Sequence, residues 1–391
     1  MTESGWRRAV DRIRAQGLLW VWRRFRIELV TPSTGPGRAL IALRLALRAL
    51  LAWPGRWLAQ RSDGAHPNAR DTLFAFYDLE VAPVTYDLTW FVVAAELSRR
   101  RLGLSSIQLL IVPGKVQGLR SEDPGYERIV DRQARRTRLL NMLLPIFSLL
   151  PTASGMAILS TRAEAAFVRR RVDKVYPANY DPGLPTGHSP SEVLDQAKRG
   201  AEVRCLRAPS DAAKHIERWK HRQVGARRLV TITLRQYEYG SARNSDLEAW
   251  AAFARQLDPE RYAVCVVPDT GHSSEPPFSG LASLPEAAWN VGLRLALYQT
   301  SYLNLGVNTG PMHLCAFSAQ TRYIIFKMLV EEVSQSSARY MRYLGFVPGE
   351  QLPFAGPFQK WVWEPDTVAV ITREFEAMVA GIESQGPDQR A

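Results

Sequence analysis

From residue 71 the chain alternates short apolar runs with amphipathic segments, and it does so twice. "TLFAFYDL" (72–79), "IQLLIVP" (107–113) and "GMAILS" (155–160) are strand-length runs. They alternate with helix-like "DLTWFVVAAELSRRR" (87–101), a long basic helix expected from about Tyr126, and "RAEAAFVRRR". Runs that are apolar at nearly every position must be buried on both faces, the condition of a parallel sheet covered by helices. A stretch rich in Pro, Gly and Ser, "YPANYDPGLPTGHSPS" (176–191), interrupts the pattern. After it, strands are expected at 228–235, 262–268, 302–308 and 322–328, and helices at 245–257, at 284–299 and after Pro311.

The 391 residues exceed what one hydrophobic core sustains. The expected fold is α/β: two Rossmann-like domains facing across a cleft, preceded by a basic amphipathic helical segment. The boundaries read as 1–65 for that segment, 66–190 for an acceptor domain, 191–365 for a donor domain, and 366–391 for a terminal helix and tail. The ligand belongs at the carboxyl ends of the strands.

The formal charge of +12 is concentrated at the start. Residues 1–61 carry twelve arginines against Glu3, Asp11 and Glu28, with Trp6, Trp20, Trp22, Trp53 and Trp57 among them. Arginine and tryptophan interleaved on helix-like stretches suit an anionic membrane surface. The same helices can equally pack on the protein's own core. "ALIALRLALRALLAW" (39–53) is too short to span a bilayer. No helix-turn-helix, zinc-finger or RNA-recognition signature accompanies the charge, so no nucleic-acid partner is expected. Cys205, Cys265 and Cys315 form no CxxC pair, which argues against a zinc site or a disulfide framework. No secretory signal is read, and the expected location is cytoplasmic, peripheral on the inner face of the membrane.

The chemistry concentrates in the second alternation. In "NTGPMHLCAFS" (308–318) a strand-like run ends in Asn308, Thr309, Gly310 and Pro311 before a helix-like run. Amides of Gly310, Met312 and His313 at such a helix start suit a phosphate or diphosphate. "LRQYEYGSARNSD" (234–246) ends a strand at Arg235 and delivers Arg243 and Asn244, side chains suited to a diphosphate leaving group. "VVPDTGHSSEPPFSGLASLPE" (266–286) carries Asp269, His272 and Glu275 on a loop of the kind that covers a base and ribose, or is plain linker. Glu331 and Glu332 either reach a sugar hydroxyl or form a solvated acidic pair. No two aspartates flank a single residue anywhere in the chain. The carboxylate pair that would hold a divalent metal against a diphosphate is thus absent, and no metal or other cofactor is expected.

"GVNTGPMHLCAFS" resembles the loop of the heptosyltransferase-like glycosyltransferases (glycosyltransferase family 9), and "ITLRQYEYGSARNSD" resembles, less closely, the arginine-bearing strand end of fucosyltransferase-like GT-B enzymes. The likeness covers residues 228–330 in architecture and about ten residues in a specific motif. Where the heptosyltransferase loop carries an acidic residue this chain has Asn308, and their glycine-rich first loop is absent. The resemblance implies a GT-B enzyme in which Asn308, Thr309, Gly310, Met312 and His313 grip the diphosphate of a nucleotide-sugar, aided by the arginine-bearing loop with Arg235, Arg243 and Asn244, while Asp269 belongs to the loop over the base and ribose.

An inverting transfer needs a base near the acceptor hydroxyl, and "YDLEVAPVTYDLTW" (77–90) offers Asp78 and Asp87. A carboxylate leaving an apolar strand can have a raised pKa, which favours Asp78, whereas Asp87 reads first as a helix N-cap. Arg235, Asp78 and Asp87 are the catalytic candidates. "LLNMLLPIFSLLPTASGMAI" (139–158) is either ordinary core or a segment dipping into a bilayer to present a lipid-linked acceptor. The expected function is sugar transfer from a nucleotide-sugar to a lipid-linked or cell-surface glycan acceptor. A sugar-nucleotide epimerase or hydrolase, and a non-catalytic membrane scaffold, are the alternatives.

Overall fold

The computed structural model describes residues 70–274 and 277–385. The basic segment expected over 1–65, Glu275 and the last six residues lie outside the described residues. The chain divides into two compact units. One comprises the segment ending at Ala82 with Gln108–Arg120 and Met156–Ser189; the other comprises Pro83–Ile107, Ser121–Gly155 and everything from Pro190. The division differs from a single cut near residue 190, and the Asp87–Arg101 helix shows why. Its Trp90 packs edge-on against His313, Phe317 and Phe346, with ring centroids 5.8, 4.7 and 5.5 Å away. Burying a large aromatic outweighs sequence order.

The first sheet has the order β3-β2-β1-β4, formed by β1 (Thr72–Asp78), β2 (Ser106–Val112), β3 (Ala153–Ile158) and β4 (Val175–Tyr176). β1 and β4 pair in parallel, Phe74 opposite Val175. One face carries Phe74, Phe76, Leu110, Val112 and Leu159, against Ala165 of the Arg162–Arg171 helix.

The second sheet has the order β10-β9-β8-β5-β6-β7, every neighbouring pair parallel. Its strands are β5 (Arg228–Thr233), β6 (Tyr262–Val267), β7 (Ala282–Ser283), β8 (Leu303–Val307), β9 (Tyr323–Phe326) and β10 (Gln359–Trp361). Two separate cores cover its faces. Val230, Ile232, Leu234, Ile324 and Phe326 meet Trp250, Phe253, Ile371 and Phe375 on one side. Leu229, Ala263, Cys265 and Val267 meet Ile216, Ala287 and Leu297 on the other. This is the two-sheet α/β class expected from the apolar runs.

Local breaks depart from expectation for identifiable reasons. The single helix expected at 284–299 is two, Glu286–Trp289 and Val291–Thr300, because Asn290 caps the second by accepting the Leu293 amide at 3.0 Å. The long helix expected from Tyr126 is also broken. Asp123 and Asp131 cap separate helices, Pro124–Ile129 and Arg132–Arg138, which a π-helical turn (Leu139–Leu143) and a 3₁₀ segment (Leu144–Leu149) continue. In that continuation Leu139, Met142, Leu143, Leu144, Ile146, Phe147 and Leu149 are buried. The 139–158 segment is therefore core over its apolar half, which displaces the bilayer-dipping reading. Among the described residues no helix is long and apolar enough to cross a membrane.

Candidate functional site

Sheet order places the site before any side chain is considered. From β5 the chain builds outward through β6 and β7, then returns to β8 on the other side of β5 and continues to β9 and β10. The order reverses between β5 and β8, whose registers bring Thr233 opposite Gly306. In open α/β sheets the crevice beyond the carboxyl ends of two such strands is the usual ligand site. The loop after β5 carries Arg235, Arg243 and Asn244; the loop after β8 carries Asn308, Thr309 and Gly310. The structure joins them directly, since Arg243 Nη2 donates to the Asn308 carbonyl at 2.9 Å.

Arg235 has a different position from the one expected of a leaving-group contact. It is buried, its guanidinium donating to the carbonyls of Gly240 (3.1 Å) and Tyr239 (2.8 Å) and to Asn244 Oδ1. Its backbone pairs with Ser245 in both directions, the amide to Ser245 Oγ and the carbonyl to the Ser245 amide, each at 2.9 Å. Arg235 thus closes the 236–244 loop on itself. Asn244 is likewise engaged: Oδ1 also accepts the Tyr237 amide at 3.0 Å, and Nδ2 donates to the Tyr237 carbonyl at 3.1 Å. What this folded loop presents is Arg243. Burial, with the neighbouring Arg235 next, lowers Arg243 to about 10, opposed by nearby Asp87, which leaves it a cation at neutral pH. Its Nε is buried with no acceptor.

The Gly310 turn is also tighter than a helix N-terminus. Gly310–Met312 is a 3₁₀ turn and only His313–Ala316 follows as α-helix. The Met312 amide donates to the Thr309 carbonyl at 3.1 Å, and the His313 amide points to the carbonyls of Gly310 and Pro311. Two of the three amides expected to meet a phosphate are therefore used by the turn itself. Gly310 is required for another reason: an ideal Cβ there would lie 2.8 Å from Tyr86 Cβ and 2.7 Å from Tyr86 Cδ2. Tyr86 bears on the turn, and its hydroxyl is buried without a partner.

His313 is half-buried and bonded to the Tyr86 backbone, while Nδ1 has no partner. Burial lowers its pKa below the usual histidine value, with Asp87 opposing and Arg243 assisting, so the ring is neutral at pH 7. Asp87 itself is exposed and is the first residue of its helix; Tyr86 occupies the cap position, and Asp87 Oδ2 accepts from Thr85 Oγ1 at 2.8 Å. Asp269, after β6, accepts the Gln236 amide at 3.2 Å and so supports the same loop. His272 lies in an exposed turn.

Asp78 is removed from the base candidates by its partners. Arg162 holds it bidentately (2.8 and 2.9 Å), Tyr180 Oη donates to Oδ2 at 2.5 Å and the Glu80 amide to Oδ1 at 2.9 Å. Arg162 also donates to the carbonyls of Pro113 (2.8 Å) and Pro182. This buried hub ties together the segments after β1, β2 and β3, and its carboxylate has no lone pair left for a substrate proton.

Sequence reading missed Tyr86, Arg294 and Lys327. Arg294, a single cation in the apolar run "VGLRLALY", is fully buried, donating to the Ala287 carbonyl at 2.6 Å and to Tyr298 Oη at 3.3 Å. Lys327 follows an apolar strand as Arg235 does, and that shared pattern was the available signal. Among the described residues no group of His, Cys, Asp and Glu is arranged to hold a metal ion.

No protein-family model and no curated protein matches the chain. A glycosyl transferase family 9 structure from Veillonella parvula DSM 2008 aligns over 80% of this chain and 97% of its own at 8% identity, with a TM-score of 0.44. E. coli heptosyltransferase WaaC with ADP aligns over 79% of this chain and 98% of its own (10% identity, TM-score 0.41). The wall teichoic acid polymerase TagF aligns over 87% and 91% (10% identity, TM-score 0.30). Over most of its length the chain is similar to solved structures of glycosyltransferases, heptosyltransferases among them.

Proposed function

We propose that the protein is a glycosyltransferase that moves a sugar from a nucleotide-sugar donor to a lipid-linked or cell-surface glycan acceptor, with inversion and without a divalent metal. The observation that supports this reading is the placement of Arg243 at the point where the order of the second sheet reverses, beside the Gly310 turn. The charge that develops there is the diphosphate of the departing nucleotide. A half-buried guanidinium whose Nε has no acceptor suits that charge and needs little reorganisation as it forms. Asp87, exposed and close to Arg243 and His313, takes the base role in place of Asp78. The absence of paired aspartates in the sequence is the ground for metal independence. The basic, Trp-rich first 61 residues support a peripheral position on the inner face of the cytoplasmic membrane.

The test is calorimetric and thermal-shift titration with UDP, GDP, ADP and CMP, with and without a chelator. One nucleotide should stabilise the protein selectively, equally well with chelator present, and Arg243→Ala should weaken that binding about tenfold to a hundredfold, the scale of a charge-assisted hydrogen bond. No response to any of the four would overturn the assignment.

A further inference from the structure

Lys327 directly follows β9 in an unusual backbone conformation for a side chain of its size, with φ of 55°. Glycine or asparagine occupies that region at less cost. From that position the ammonium reaches the arginine loop. Nζ donates to the Asn244 carbonyl at 2.8 Å and stands 3.4 Å from Asp366 Oδ1. Asp366 is 2% exposed, and its other oxygen accepts both the Asp246 amide (2.8 Å) and Trp250 Nε1 (2.9 Å). Asp246 in turn caps the Leu247–Gln256 helix through the Ala249 amide at 3.1 Å. The Lys327 amide donates to the Glu364 carbonyl at 3.0 Å, so the segment bearing Asp366 is registered against the strand that Lys327 follows.

The loop from Gln236 to Asp246 is thus held by two cations that follow different strands, Arg235 buried and Lys327 partly exposed. Arg235 grips it from within, and Lys327 holds its trailing end at the residue after Arg243. A lysine in a conformation that glycine adopts more easily points to the ammonium, rather than the backbone, as what the position supplies. We propose that Lys327, through the Asp366 carboxylate, is a positioning residue that sets the placement of Arg243 at the reversal of the sheet. This rests on the functional reading above only for what Arg243 contacts; the clamp itself is a statement about the loop.

The test uses the full-length protein and Lys327→Gly with Asp366→Asn. The glycine removes the backbone strain and the ammonium together. The asparagine keeps an oxygen for Asp246 and Trp250 and removes the charge left behind by the lysine. Melting temperature should stay near wild type, while amide exchange across 236–246 accelerates about tenfold or more and the strand amides of β5 and β8 are unaffected. Affinity for the nucleotide that stabilises the wild type should fall about tenfold, and Lys327→Arg should restore part of it. Unchanged exchange in the loop would overturn the clamp. Faster exchange with unchanged affinity would overturn the positioning role. A wild type that binds none of the four nucleotides would overturn the proposed function, and the exchange measurement would still decide the clamp.

Discussion

Gly310 and Tyr86 form one contact seen from two sides. A methyl group at Gly310 would overlap Tyr86 at 2.7 to 2.9 Å, so Gly310→Ala should destabilise by about 1–3 kcal/mol, the range for overpacking. Tyr86→Gly in the same chain should recover much of that loss, because glycine removes both the ring and the Cβ that a methyl at Gly310 would meet, whereas alanine would leave the 2.8 Å Cβ contact. Urea titration of both single variants and the double variant measures this coupling, and additive losses would show that the two residues do not press on each other. Asp78 leads to a contrasting expectation. Replacing it by asparagine leaves Arg162, 20% exposed, without its carboxylate, and about 3–5 kcal/mol of stability should be lost. A base would behave differently: Asp78→Asn would melt near wild type and lose only turnover. Differential scanning calorimetry beside an activity assay separates the two roles.

At the scale of elements, the Asp87–Arg101 helix is anchored by Glu96, which is buried and bonded to Arg99 (2.8 and 2.9 Å), Arg100 (2.7 Å) and Thr152 (2.6 Å). Burial alone would raise its pKa; the bonds from Arg99, Thr152 and Arg100 outweigh it and hold the carboxyl below the usual glutamate value. A lowered folded-state pKa means that the unfolded chain takes up the proton first as pH drops. The contribution is therefore complete above the unfolded value of about 4.3 and is lost as pH falls through the folded one. Melting temperature followed from pH 6 to pH 3 should show this loss, and Glu96→Gln should be less stable at pH 6 with a shallower acid limb. An acid limb identical in the variant would place the acid sensitivity elsewhere. Element boundaries were legible where a side chain announces them, as with the apolar runs that became β5, β6, β8 and β9. The break at Asn290 carried a signal too, an asparagine inside an otherwise helical run, but its capping bond forms only because the two helices turn there.

For the molecule as a whole, the charge of the first 61 residues leads to a binding expectation that the described residues do not address. Full-length protein should float with vesicles containing phosphatidylglycerol and much less with phosphatidylcholine alone, and 0.5 M salt should release most of it. Deletion of residues 1–61 should abolish flotation while leaving the nucleotide response unchanged. Flotation that survives the deletion would move the membrane contact elsewhere in the chain. The whole-molecule pattern of two parallel sheets was legible because strands apolar on both faces have few other ways to be buried. Which segments join which unit was not: the Asp87–Arg101 helix sits with the second unit through Trp90, a contact more than 200 residues away in sequence.

The sequence by itself determined the fold class and the two-sheet plan, because hydrophobic period and turn chemistry are local and survive in any arrangement of the chain. It placed Arg235 and Asn308 just past strands and Arg243 and Gly310 in the loop and turn that follow, as the structure has them. Only the tertiary structure decided what each does there. Arg235 and Asn244 turn inward to hold a loop, Asp78 is taken by Arg162 and Tyr180, and Arg243 is left facing the reversal of the strand order. The physical reason is that a charged side chain at a strand end takes whichever acceptors or donors come within about 3 Å of it. Those partners lie up to 102 residues away along the chain, where no local pattern announces them.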